Sequence, residues 1–365
     1  MLFEKSFIGN CEIKNRFVRS ATFEGMATVD GLVTDELNGK MRELAEGEVG
    51  MIISGHAYVS PEGRAGNLQL AADRDECFEG LKSMAETVHK AGSKIFLQLA
   101  HAGAQAIIRE TAMGPSVFAP SEKAALCREM TTEDISDMAE AFAAAALRAK
   151  DAGFDGVQIH SAHGYLLSQF LSPYYNKRTD QYGGTLENRS RFLLETFLLI
   201  RTKVGEKFPV IIKINSEDFL ENGFTADECL EVCAMLENAG LDGVELSGGT
   251  LNTALELNPS RKGDIKAGQE VYYRQTAMKF KQKMKIPLLL VGGVRYYEQA
   301  ESVINDGVAD FISLCRPLIR EPGLVKRWHT GDKRRATCIS CNLCFHPALT
   351  GKGLYCVVEE RLKKK

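Results

Sequence analysis

The chain has almost no net charge. Lys and Arg number 45 and Asp and Glu 48, a formal −3 over 365 residues. No basic surface is in prospect, and a nucleic-acid or other polyanionic partner is not expected. No leader is expected either, because Met1-Leu2-Phe3-Glu4-Lys5-Ser6-Phe7 has no apolar core of the kind a secretory signal needs. The stretch His160 to Asn176 is free of Asp, Glu, Lys and Arg but still carries His, Ser, Asn, Gly and Pro, so no membrane span is expected. Without a secretory signal, the ten cysteines read as thiols or metal ligands in a reducing, cytoplasmic compartment, not as a disulfide framework.

What is present is ordinary globular composition, 44% apolar and 25% charged, enough for one large core. An α/β barrel takes roughly 250 residues, more with insertions, so a single barrel with extensions fits better than two unrelated domains. Residues 1–336 are expected to form the barrel and 337–365 a Cys-rich extension. Phe7-Ile8 and Cys11-Glu12-Ile13 flank a Gly9-Asn10 turn signal, which predicts a small hairpin.

A repeating plan follows: a helix ending in Gly, a few apolar residues, then a polar or Gly-rich break. Phe17 to Thr22 is a candidate first strand. Val49 to Ile53 ends at Ser54-Gly55-His56, and Ile95-Phe96-Leu97 ends at Gln98. Gly156 to Ile159 ends at His160, and Val210-Ile211-Ile212 ends at Lys213. Gly243 to Leu246 ends at Ser247-Gly248-Gly249. Leu288 to Val291 ends at Gly292-Gly293, and Phe311 to Leu314 ends at Cys315-Arg316. Eight short apolar strands separated by helical stretches suit a (β/α)8 TIM barrel, whose strands are covered on both faces. The helices carry their own start signals. Thr131 precedes a stripe of Ile135, Met138, Phe142, Ala145 and Ala149. Thr225-Ala226-Asp227-Glu228 is a capping box before Cys229, Val232, Cys233 and Leu236. On that stripe the two cysteines read as packed thiols. The polar segment Ala104 to Met130 reads as a lid or substrate-contacting loop.

In such a barrel the chemistry gathers at the C-terminal ends of the strands. A lone histidine there is more often a hydrogen-bonded core residue. His160, His163 and Tyr165, within six positions at one strand end, point to a site instead. Gly292-Gly293 would let backbone N–H groups approach an anion, and Arg316 adds a charged fork where barrels commonly hold a phosphate. Gln98 and Lys213 are polar breaks in otherwise apolar runs, readable as functional or as surface groups.

Several long motifs occur together and in order. They are Asn15-Arg16, Pro61-Glu62-Gly63-Arg64, Gln98-Leu99-Ala100-His101-Ala102-Gly103, His160-Ser161-Ala162-His163-Gly164-Tyr165, Phe170-Leu171-Ser172-Pro173, Asn176 through Gly184, Glu187-Asn188-Arg189, Gly292-Gly293 and Arg316-Pro317. With these the chain resembles the old yellow enzyme family of flavin-dependent ene-reductases across nearly its whole barrel. The resemblance implies non-covalent FMN, reduced by NADH or NADPH, and a small-molecule substrate with an activated C=C bond; a homo-oligomer is possible. It implies Ala21 and Thr22 at the flavin edge, His56 and Gln98 at the pyrimidine ring, Lys213 near N1 and O2, and Gly292, Gly293, Cys315 and Arg316 at the phosphate. His160 and His163 would bind the substrate carbonyl, and Tyr165 would protonate carbon. Three positions depart from the family pattern: Ala21-Thr22-Phe23 where Cys or Thr often stands, Lys213 for a usual Arg, and Cys315 for a usual Gly.

Beyond the barrel, Cys338, Cys341, Cys344 and Cys356 are spaced C-x2-C-x2-C-x11-C. That spacing suits zinc or an iron–sulfur cluster. The extension is similar to the dienoyl-CoA reductase and trimethylamine dehydrogenase branch, which implies [4Fe–4S], although that branch usually has three residues between its second and third cysteines. The branch also continues into dinucleotide-binding domains, which are not expected here. The competing readings are an FMN/Fe–S oxidoreductase that exchanges electrons with a protein partner, and a flavin-binding barrel without turnover.

Overall fold

A computed structural model describes residues 1–121, 124–263 and 270–364. The elements run in chain order as β1 (Ser6–Ile8), β2 (Cys11–Ile13), β3 (Phe17–Arg19), α1 (Asp35–Glu46), β4 (Met51–Ile53), β5 (Ala57–Tyr58), α2 (Phe78–Lys90) and β6 (Lys94–Ala100). Then come β7 (Met113–Gly114), β8 (Arg128–Glu129), α3 (Thr132–Asp151), β9 (Gly156–Ser161), α4 (Leu166–Leu171), α5 (Leu186–Val204), β10 (Val210–Asn215) and α6 (Ala226–Asn238). The last third holds β11 (Gly243–Ser247), α7 (Arg274–Lys283), β12 (Leu288–Val291), α8 (Tyr297–Asn305), β13 (Phe311–Leu314), α9 (Arg316–Arg320), α10 (Leu324–His329), α11 (Phe345–Leu349) and α12 (Val357–Lys363).

Strands β3, β4, β6, β9, β10, β11, β12 and β13 pair in parallel in that order, and β13 pairs back onto β3 to close the ring. This is the expected (β/α)8 TIM barrel. The caps form as expected too: Thr131 and Thr225 each close a reciprocal capping box, with Asp134 and Glu228. Cys229 and Cys233 are fully buried thiols on α6. The polar segment Ala104 to Met130 includes the short β7–β8 pair, and its residues 122–123 lie outside the described residues.

Several boundaries need correction. Gln98 and Lys213 do not end their strands. They lie inside β6 and β10, which run on to Ala100 and Asn215. The barrel's upper interior is polar, so the ladder continues past the point where the apolar run stops. The first strand is shorter than expected and stops at Arg19. The charged end of the chain forms a last helix, α12. That helix has Glu359 and Glu360 in its first turn and Arg361 and Lys363 in its last, the arrangement that complements a helix dipole.

Alternation along each strand divides the interior into two layers. Val18, Met51, Ile53, Phe96, Ile211, Leu289 and Phe311 form an apolar lower layer. Ile8, Cys11 and Ile13 of the hairpin join that cluster and plug the bottom of the barrel. Two residues further along the strands, the same face carries Gln98, Gln158, Lys213 and Glu245, all nearly or fully buried. Gly156 sits opposite Phe96 in the ladder. A Cβ there would come within 2.6 Å of the Phe96 ring, so only glycine leaves space for that ring.

The Cys-rich extension lies against the barrel's C-terminal side. Ala336 donates its N–H to Arg295 O (2.8 Å), Gly263 N–H to Ser340 O (3.1 Å) and Arg295 Nη2 to Ser340 Oγ (3.0 Å).

Candidate active site

The C-terminal ends of the strands surround a cavity of about 220 Å³. Ten of the expected site residues line it: Ala21, Thr22, His56, Gln98, His160, His163, Tyr165, Lys213, Gly292 and Cys315. Gly293 and Arg316 are not in its wall. Gly293 lies under the Val271–Tyr272 backbone and ring. The Arg316 guanidinium donates to Arg261 O and to Asn342 Oδ1, both at 2.7 Å. The wall also includes residues passed over in the sequence, among them Phe23, Ser247, Asn258, Tyr273 and Phe345. Ser247 was reachable from sequence, as the last residue of β11. The others come from connecting segments and from the extension, whose approach to the mouth has no local signal.

The three chemistry-bearing groups stand together. The His160 ring centroid lies 4.8 Å from Tyr165 and 5.3 Å from His163, and His56 lies 5.6 Å from Tyr165. His160 belongs to β9, and Tyr165 is the residue that enters α4. His163, between them, has a left-handed backbone, φ +63°. That conformation costs a non-glycine residue about 1 kcal/mol or more. It is held by the His163 N–H donating to Asn215 Oδ1 (3.1 Å) and by a bridge to Thr250. Asn215 is itself fixed by donating from Nδ2 to Asp218 Oδ1 (2.8 Å). The His163 Nε2 meets Ser247 Oγ at 2.7 Å, which sets the ring's orientation.

Burial dominates the electrostatics. It holds His56 down to about 4, helped by the Lys213 and Arg19 cations. It holds His160 and His163 well below the ordinary imidazole value, with His163 adding for His160 and Lys213 adding for His163. All three rings are therefore neutral near pH 7. Burial pushes the Tyr165 phenol well above its usual value, so it keeps its proton. Beneath them the floor is polar. Lys213 Nζ donates to Ser20 Oγ (2.8 Å) and pairs with Glu245 Oε2 (3.2 Å). His160 Nδ1 is buried without a partner among the described residues. A buried polar atom left open beside a cavity fits a site that takes a polar ligand. Neutral donors, a protonated phenol and one cation around one cavity suit a flat heteroaromatic group that gains negative charge on reduction.

In the extension, Cys338, Cys341, Cys344 and Cys356 surround a second small cavity of about 20 Å³, with Arg316 in its wall. Among the described residues no three ligating side chains converge closely enough to hold a single metal ion.

Residues 1–334 match the NADH:flavin oxidoreductase / NADH oxidase family. The chain belongs to this family. The resemblance to old yellow enzymes read from its motifs is thereby borne out, and the family's description names NADH and flavin. It is 38% identical over 351 residues to the NADH oxidase of Thermoanaerobacter brockii, covering 94% of this chain and 53% of that protein. It is 35% identical to the NADPH dehydrogenase of Geobacillus sp. (strain WCH70), covering 94% of this chain and 97% of that one. Among solved structures, 2-naphthoyl-CoA reductase in complex with 2-naphthoyl-CoA superposes with a TM-score of 0.91 at 28% identity, over 100% of this chain and 57% of the other. The chain thus spans about half the length of several relatives it matches. Among the described residues no helix is long and apolar enough to cross a membrane.

Proposed function

We propose that this chain is the FMN-binding barrel of an enzyme that uses NAD(P)H to reduce the activated C=C bond of an α,β-unsaturated carbonyl-type compound. The observation that carries the reading is the convergence of His160, His163 and Tyr165 on one cavity that Gln98 and Lys213 also line. Bound FMN would supply the hydride relay between the nicotinamide donor and the alkene.

The chain's own residues do the rest. Gln98 and Lys213 would receive the flavin's pyrimidine side, Ala21, Thr22 and His56 would bound it, and the Gly292 and Cys315 backbones would take the phosphate, with Gly293 and Arg316 set back from the cavity wall. His160 and His163, kept neutral by burial, donate to the substrate carbonyl oxygen as negative charge builds there. Neutral donors suit this task, because binding the substrate then requires no proton exchange with solvent. Tyr165 stays protonated and delivers its proton to the α-carbon as general acid. The ring contacts with His160 and His56 hold its hydroxyl in place.

The test is anaerobic. Pure protein reconstituted with FMN should be bleached by NADH or NADPH and should recover its colour with an enone. Bleaching without reoxidation by enones, enoyl thioesters or nitroalkenes would remove the ene-reductase reading.

A second reading is favoured by the four cysteines around one cavity. Four cysteines lining one cavity are a donor set that a [4Fe–4S] cluster would fit. The chain would then exchange electrons with a protein partner. Iron and sulfide analysis of anaerobically purified protein separates the possibilities. Iron with sulfide supports the cluster, and zinc or no metal removes it.

A further inference from the structure

The barrel floor contains a carboxylate that the catalytic reading does not use. Glu245 is completely buried on β11. Its neighbours in the ladder register are Lys213 on β10 and, on the other side, Leu289 on β12. One oxygen, Oε2, pairs with Lys213 Nζ at 3.2 Å and accepts from Gln158 Nε2 at 3.0 Å. Gln158 Oε1 in turn accepts from Gln98 Nε2 at 2.7 Å. The other carboxylate oxygen, Oε1, is buried without a partner among the described residues. A buried pair with an open oxygen contributes little net stability, because desolvation offsets the attraction. Its place in the fold therefore calls for another reason.

We propose that Glu245 is a positioning residue that sets both the charge and the hydrogen-bond polarity of the flavin-binding floor. This rests on the reading that the cavity holds FMN. Two effects, polarity and charge, meet at this one carboxylate.

The first effect is polarity. A carboxylate only accepts hydrogen bonds. Gln158 must therefore turn its Nε2 toward Glu245, which leaves its Oε1 facing Gln98. Gln98 must answer with its own Nε2, so its Oε1 is turned away from Gln158. The acceptor end of the Gln98 amide is thus selected from two residues away, before any ligand arrives. A glutamine without this relay could present either end.

The second effect is charge. Lys213 lines the cavity, yet it is paired from behind. Its ammonium offers the cavity the positive end of an ion pair, not a full uncompensated cation. Reduction adds negative charge to an isoalloxazine, and a nearby carboxylate opposes that. Glu245 accordingly holds the flavin's midpoint potential lower than Lys213 alone would set it.

The experiment uses the FMN-loaded protein and its Glu245→Gln, Glu245→Asp and Gln158→Leu variants, with dye-equilibrated anaerobic potentials and FMN affinity by fluorescence quenching. Glu245→Gln removes the charge and should shift the reduced-to-oxidised ratio about tenfold or more toward reduced, roughly 30 mV more positive for a two-electron couple. Glu245→Asp keeps the charge and should stay near the unmodified potential. Gln158→Leu leaves the Glu245–Lys213 pair but frees the Gln98 amide, and should weaken FMN binding about fivefold or more at an unchanged potential. A Glu245→Gln potential equal to that of the unmodified protein, with FMN bound, overturns the charge effect and the proposal with it. Should that variant not fold, unweakened FMN binding by Gln158→Leu overturns the proposal instead. Unmodified protein that refuses FMN sinks the underlying reading itself, a result distinct from either of these.

Discussion

His101 should make the protein acid-labile by a calculable amount. It follows β6 directly, is 1% exposed, and accepts the Gly103 N–H at Nδ1 (3.0 Å). Gly63 packs flat on its ring, since a Cβ there would sit 2.1 Å from Cδ2. Its carbonyl takes the Leu166 N–H at 3.0 Å, which links it to the helix that Tyr165 enters. Burial lowers this imidazole from 6.5 to about 4. The unfolded chain therefore binds more protons below pH 6.5. The stabilisation is complete above that value, falls as pH drops through the window from 6.5 to about 4, and changes no further below it. At about 1.4 kcal/mol for each tenfold, the full loss is roughly 3 kcal/mol. His101→Asn keeps an acceptor near the Nδ1 position but cannot titrate. Urea midpoints of both proteins, measured from pH 7.5 to 4.5, isolate the term, because His56, His160 and His163 are common to both and cancel. The variant should lose about 2–3 kcal/mol less on acidification than the unmodified protein. Equal losses would refute the argument, whatever their absolute size.

Two further outcomes are expected. Tyr165→Phe keeps the ring contacts with His160 and His56 but removes the acid, so alkene reduction should slow by about 100-fold or more with bleaching by NAD(P)H unchanged; equal enone turnover in stopped flow would assign the proton to another donor. Gly25 has φ +61°, and a Cβ on it would lie 2.2 Å from the Ala348 carbonyl oxygen, so Gly25→Ala should push α11 off the barrel at about 2 kcal/mol or more. Faster proteolytic release of the extension and weaker FMN binding would register it; an unchanged digestion pattern would count against the contact.

The barrel was legible because its strands are short apolar runs that follow Gly-terminated helices, a pattern that needs no long-range information. Their upper boundaries were not. Hydrophobicity stops at Gln98 and Lys213, whereas hydrogen bonding continues to Ala100 and Asn215, because the polar side chains there turn inward to one another. Ten of the twelve expected barrel-site residues line one cavity, since strand-end residues of adjacent strands converge by topology alone. Glu245 was passed over for the opposite reason. A lone acidic residue inside an apolar strand carries no local mark, and its meaning lies in Lys213 on the neighbouring strand. Phe345 was invisible in the same way, as a residue of the extension that reaches the mouth only after the chain has come full circle.

That circle has a cost during synthesis. The last ladder joins Phe17 to Ile312, so a growing chain emerging from the ribosome holds seven of its eight staves with raw edges at β3 and β12 until the final one appears. Both edges can recruit a neighbouring nascent chain. The pocket meanwhile lacks Cys315 and the wall beyond it, so the coenzyme cannot be gripped in time to help. A cell making this protein quickly should therefore depend on chaperone shelter late in translation, and slowing elongation near the β13 codons should lower the soluble yield, because the raw edges then stay open longer.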